Sequence, residues 1–92
     1  MPRVAALSYA VRASQQNTSK HFAAAVKSGR RATALAPEDP RGHAMLGTAL
    51  ANTGRNAEAR REYEEAIRLT RADSVYFGSL ERGVRRALQF LP

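Results

Sequence analysis

The chain has 92 residues, at most one domain, and a 43% hydrophobic share in which Ala predominates over the 7% aromatic residues, so any core must be thin and built from closely approaching helices. The absence of Cys removes disulfides, thiolate zinc sites, iron–sulfur clusters and Cys nucleophiles, and no apolar run approaches the ~18 residues of a membrane-spanning helix. The net charge of +7 is uneven: residues 1–36 carry six bases and no acid, residues 37–73 are nearly balanced, and residues 74–92 set Arg82, Arg85 and Arg86 against Glu81, a pattern that suits nucleic acid, an anionic membrane or an acidic protein segment.

In chain order, the periodicity predicts helices and no strands. Residues 4–15 form a first helix with Val4, Leu7 and Val11 on one face. This segment is too short and too early interrupted by Arg12 for a secretory signal, and an amphipathic helix is the preferred reading over an Arg-bearing, acid-free transit peptide. Asn17, Thr18 and Ser19 supply a break and the N-cap of a second helix. Its stripe is Phe22, Ala25, Val26, Gly29, Ala32, Thr33 and Ala36, ended by Pro37. Gly29 costs ~1 kcal/mol there relative to Ala, which points to close contact with a neighbouring helix.

Asp39 as N-cap and Pro40 at the first helical position open a third helix. Gly54 closes it in the left-handed conformation. Asn56 is expected to cap a fourth helix, whose stripe is Ala59, Tyr63, Ala66, Ile67 and Thr70. Asp73 or Ser74 caps a fifth helix reaching about residue 90, with Phe77, Leu80, Val84, Ala87, Leu88 and Leu91 facing one way. Short connections between the five make antiparallel neighbours, so the chain reads as an all-α row of helix hairpins.

Residues 40–73 then resemble a tetratricopeptide repeat. Leu46 and Gly47 stand on the family's Leu-Gly pair, Leu50 on its large apolar site and Gly54 on the turn glycine. Ala59, Tyr63 and Ala66 stand on the small, aromatic and small sites of the second helix. Gly47 and Ala59 are expected to be small because the two helices cross there, with Leu46, Leu50 and Tyr63 filling the wedge around the crossing. The register runs upstream through Pro37, Ala32 and Ala25, but Gly29 replaces an aromatic and Arg12 a Leu. The resemblance implies a short right-handed superhelix within one domain, 1–92. Residues 1–39 would be a degenerate first hairpin, 40–73 the repeat, and 74–92 a capping helix or the start of a truncated repeat.

No constellation supports catalysis. His21 and His43 are far apart in sequence, and His43 falls on a bulky site of the repeat, which favours packing over ligation. Glu62, Glu64 and Glu65 read as a solvated face with Arg61–Glu65 and Glu64–Arg68 pairs. No cofactor and no metal site is expected.

The resemblance implies instead a non-catalytic protein–protein adaptor whose concave groove takes an extended or helical partner segment. Helix three would offer Arg41, Ala44, Thr48, Ala51 and Asn52. Helix five would offer Val75, Gly78, Ser79, Arg82, Arg85 and Arg86. Arg forks suit carboxylates, so the expected partner is acidic. The chaperone-type carboxylate clamp is not matched, since Ala44 and Thr48 stand at two of its sites. Self-association through Val4, Leu7 and Val11 or Phe90 and Leu91 is a further expectation. The alternative is a basic helical nucleic-acid binder, although no helix-turn-helix or aromatic–basic strand surface is present. The expected setting is a bacterial cytoplasm, the thirteen Arg against two Lys matching a GC-rich genome.

Overall fold

The computed structural model describes residues 2–92. Five α-helices follow one another: α1 (Pro2–Thr18), α2 (Phe22–Leu35), α3 (Pro40–Asn52), α4 (Asn56–Thr70) and α5 (Ser74–Gln89), with a 3₁₀ turn at Arg71–Asp73 before the last. Each helix packs on the next, and α3 also lies against α1. The elements are therefore stacked hairpins, all-α as the periodicity indicates. Within α5 the chain bends at Phe77, whose φ −104° and ψ 15° depart from helical values.

The start of α3 follows directly from its sequence. The Asp39 carboxylate accepts the Arg41 backbone N–H at 3.0 Å, and Pro40 needs no donor at the first position. Gly54, at φ +81°, closes the helix. The Arg55 N–H reaches back to the Leu50 carbonyl at 2.9 Å and the Gly54 N–H to that of Ala51 at 3.1 Å, a Schellman motif. Asp73 caps α5 by accepting the Tyr76 N–H at 3.1 Å.

Two expected caps are corrected. Asn56 is the first residue of α4 rather than its cap, and Arg55 in the cap position makes no side-chain cap bond. Asn17 and Thr18 lie inside α1, and α2 is preceded by His21, again without a side-chain cap bond. The α1–α2 turn is built from the backbone instead. The His21 N–H donates to the Gln16 carbonyl at 2.7 Å and the Lys20 N–H to that of Asn17 at 3.1 Å. This is the same Schellman arrangement as at Gly54, 34 residues earlier, with Lys20 at φ +65° in the place of the glycine. A Cβ in that region costs about 1–2 kcal/mol. Lys20→Gly is accordingly expected to stabilise the chain by about 1 kcal/mol after allowance for the freer unfolded chain, a rise of roughly 4–8 °C in Tm for a domain of this size, read by circular dichroism melting.

The core is made largely of small residues. Ala6, Ala10 and Ala13 of α1, Ala25, Val26 and Ala32 of α2, Leu46, Ala49 and Leu50 of α3, and Ala59, Tyr63, Ala66 and Ile67 of α4 are buried. In α1 the buried stripe is thus Ala, and the bulky stripe of Val4, Leu7 and Val11 is exposed. At Gln16, 34 residues before Leu50, the first hairpin holds a polar side chain, and it accepts the bond of buried Ser28 Oγ at 2.7 Å. In α5 only Val84 of the expected stripe is buried. Leu80, Ala87, Leu88 and Leu91 pack half-buried against the core, and Phe90 stands 76% exposed.

The Gly47 position differs in detail from the expected crossing. Gly47 and Ala59 are both buried, but the atoms that a side chain on Gly47 would meet belong to the ring of Tyr63. Gly29 does admit a neighbouring helix, the backbone of α3 at Leu46.

Candidate functional site

Because α1, α3 and α5 are alternate helices of the array, their outer sides form one face. On α3 the spacing 41, 45, 48, 52 places Arg41, Met45, Thr48 and Asn52 in line along the helix. A depression across the three helices is lined by Leu7, Ala10, Val11 and Ser14 of α1, Arg41 and Met45 of α3, and Leu80 of α5. It shares Leu7 and Val11 with a shallow trough along α1 that also holds Arg12. It shares Met45 and Leu80 with a slot between α3 and α5, where Thr48, Ser79, Gly83 and Ala87 stand above buried Tyr63. The three depressions run together as one groove with an apolar floor. No carboxylate lines any of them.

The expected groove residues fall into two groups. Arg41 and Thr48 line the groove, and both are already engaged. Arg41 binds Asp39 through Nε at 3.0 Å and Nη2 at 2.6 Å, and its guanidinium lies 5.8 Å from the centre of the Phe77 ring. Burial pushes the Asp39 carboxyl up, but the Arg41 bonds and charge, with help from Arg3, hold it below its usual range. Thr48 Oγ1 donates to the Ala44 carbonyl at 3.1 Å and lies 2.9 Å from Tyr63 Oη, tying α3 to α4. Burial pushes the Tyr63 phenol up, and the Thr48 bond offsets part of that rise.

Asn52 is exposed and donates to the Thr48 carbonyl at 2.9 Å. Arg82, Arg85 and Arg86 are exposed on α5 and line none of the three depressions. Arg82 donates to Ser79 Oγ at 3.1 Å, and Arg85 is paired with Glu81 at 3.0 Å. Leu7, Val11, Met45 and Leu80, which form the floor, were not among the expected binding residues. The signal that finds them is the bulky stripe of α1, left over once the Ala stripe has been buried.

At the end of the groove where α1, α3 and α5 begin, a wider hollow is lined by Arg3, Glu38, Asp39, Arg41, Asp73, Tyr76 and Phe77. Its charges are mixed. Asp39 and Asp73 already serve as helix caps.

His43 has a role that sequence reasoning missed. Its Nδ1 lies 2.8 Å from Glu62 Oε1 on α4, and its Nε2 lies 2.8 Å from the Pro37 carbonyl after α2. Both partners are acceptors, so both ring nitrogens donate only in the imidazolium form. Burial opposes that charge, but the bonds to Glu62 and Pro37 and the attraction of Glu62 and Glu65 outweigh it and raise the pKa above the usual His value. The expected Glu face is rearranged accordingly. Glu62 serves His43, Glu65 pairs with Arg68, and Glu58 pairs with Arg30 and Arg55, in place of Arg61–Glu65 and Glu64–Arg68.

A group with a raised folded pKa contributes its stability fully below the unfolded value, about 6.5, and loses it as pH climbs through the folded value. Melting temperature is therefore expected to fall as pH rises from about 6 through that window. His43→Gln, which does not titrate, should flatten this slope in a pH series of thermal melts.

Among the described residues no group of three or more His, Asp or Glu is placed to hold a metal ion, and no helix is long and apolar enough to cross a membrane. A comparison with known proteins finds no match to any curated protein or solved structure. Among protein families, the model described as tetratricopeptide repeat matches residues 40–73. Those are the residues whose Asp39–Pro40 start, Gly54 turn and Gly47–Tyr63 contact are described above. The chain carries a tetratricopeptide repeat at residues 40–73.

Proposed function

We propose that the chain is a non-catalytic protein-interaction module that holds a segment of another protein against the face formed by α1, α3 and α5. The repeat is of an interaction type. The observation that carries the reading is the continuous apolar floor of Leu7, Val11, Met45 and Leu80, open to solvent on a chain with few large apolar residues to spend. Val11 is 48% exposed and Leu7 39%, on the same helix whose Ala side is buried. Grouped exposure of this kind marks contact surfaces, whereas single exposed apolar residues do not. Arg12 and Arg82 flank the floor and would set the polarity of the bound segment. Arg41, Thr48 and Asn52 would shape its α3 wall, with Arg85 and Arg86 farther out on α5.

Met45→Lys tests this directly. Met45 is only half-buried, so the change is expected to cost little stability, about 1 kcal/mol or less, while placing a charge in the middle of the floor. A photo-crosslinking residue at position 80 should capture partner segments from extract with the otherwise native chain. That capture should be lost with Met45→Lys and kept with Lys27→Glu on α2. An unchanged set of captured segments in all three would remove the groove as the docking face.

A further inference from the structure

We propose that the occupant of this groove is an acidic amphipathic helix of another protein, an inference that rests on the docking face just described. An extended segment would need partners for its own backbone N–H and C=O groups once the floor had excluded water, and each unpaired buried group is costly. The floor offers few. Leu7, Ala10, Val11, Met45 and Leu80 have apolar side chains. The polar groups around them are committed, Arg41 to Asp39, Thr48 to Ala44 and Tyr63, and Asn52 to Thr48. The Met45 carbonyl accepts Asn17 Nδ2 at 3.2 Å. A helix satisfies its backbone internally and presents only side chains. The slot between α3 and α5 is lined by small residues, Ser79, Gly83 and Ala87, and Gly83 faces open space.

Charge selects the sign of the occupant. Arg12 lines the α1 trough, Arg3 stands at the groove's end, and Arg82 lies beyond Ser79; among the described residues none of the three is in an ion pair. With no carboxylate along the floor, acidic residues on the flanks of an incoming helix would meet these guanidinium groups. A second copy of the chain supplies no such counterpart. Its α4 carboxylates Glu58, Glu62 and Glu65 are held by Arg30 and Arg55, by His43 and by Arg68. Its own exposed apolar helix, α1, brings Arg3 and Arg12, a like charge.

Three synthetic peptides of about four helical turns test this: one with a Leu stripe at helical spacing and Glu elsewhere, one with Lys for every Glu, and one with the Glu sequence broken by two central Pro. Binding is read by amide chemical shifts of the isotope-labelled full chain, and peptide helicity by circular dichroism. The acidic helix is expected to shift Leu7, Val11, Met45 and Leu80 and to gain helicity on binding. The Pro-broken peptide should bind about tenfold more weakly or worse, and the Lys peptide should leave those resonances in place.

Equal binding of the Pro-broken peptide at the same residues would overturn the helical occupant and leave the docking face standing. Equal binding of the Lys peptide would overturn the acidic partner. Shifts confined to residues outside the groove would overturn both the occupant and the face. Concentration-dependent dimerisation without peptide, abolished by Met45→Lys, would assign the groove to a second copy instead.

Discussion

Gly47→Leu should lower the stability of the chain by about 3 kcal/mol, the net of an overpacking cost of up to ~3, a lost hydrogen bond of ~1 and a helix-propensity gain of ~1. A Cβ at position 47 would stand 2.8 Å from Tyr63 Cδ1, 2.9 Å from Cε1 and 3.2 Å from Cγ. The ring has no easy retreat. Tyr63 is 3% exposed, and its hydroxyl is bonded to Thr48 at 2.9 Å. Moving it both breaks that bond and uncovers the α3–α4 seam. A 92-residue domain has about 5–14 kcal/mol in total at ~0.05–0.15 per residue, and an Ala-rich core places this one toward the low end. Tm should then drop by roughly 12–24 °C at ~4–8 °C per kcal/mol. Combining Gly47→Leu with Tyr63→Ala separates this contact from a general intolerance of Leu. The double variant should lose clearly less than the sum of the two single losses, because the new side chain enters space that the ring has vacated. A Tm within a few degrees of the parent for Gly47→Leu alone would show that the ring and the helix do not meet there.

What was legible in the sequence is what local chemistry decides. Asp39 and Pro40 announce the start of α3 because a carboxylate cap and a residue without an N–H each fit one helical position. Gly54 announces its end because the left-handed conformation there favours a residue with no Cβ. The equivalent turn at Lys20 carries no such mark, since only the 34-residue offset from Gly54 reveals it. Periodicity found Val4, Leu7 and Val11 as a face of α1, but not which face of α1 turns inward. That is settled by α2, whose Ala25, Gly29 and Ala32 surface lets a helix approach closely and so takes the Ala side of α1. The bulky side is thereby left to the groove. His43 and Glu62 lie 19 residues apart on different helices, and nothing in either segment alone pairs them. The same holds for Met45, whose importance comes from what α1 and α5 place beside it.

One substitution, Gly to Ala, should have opposite signs at two helical positions of this chain. In a helix interior Ala is better than Gly by ~1 kcal/mol, since the backbone has less freedom to lose. At Gly83 nothing lies within 4 Å of the added Cβ. Gly83→Ala should therefore keep the whole gain, about 1 kcal/mol, and raise Tm by ~4–8 °C. At Gly29 the added Cβ would sit 2.9 Å from Leu46 Cβ, 3.0 Å from its Cα and 3.2 Å from its N. These atoms belong to the backbone and first carbon of α3, so no rotamer change relieves the contact, and α2 and α3 must separate. Leu46 is 2% exposed, so separation opens the core on both sides of it. Overpacking of this kind costs ~1–3 kcal/mol, and displacement of a whole helix puts it near the upper end, enough to outweigh the propensity gain by about 1–2 kcal/mol. Gly29→Ala should thus lower Tm by roughly 4–16 °C. If both variants melt higher than the parent, α2 and α3 do not approach at Leu46, and the glycine in α2 has no packing reason.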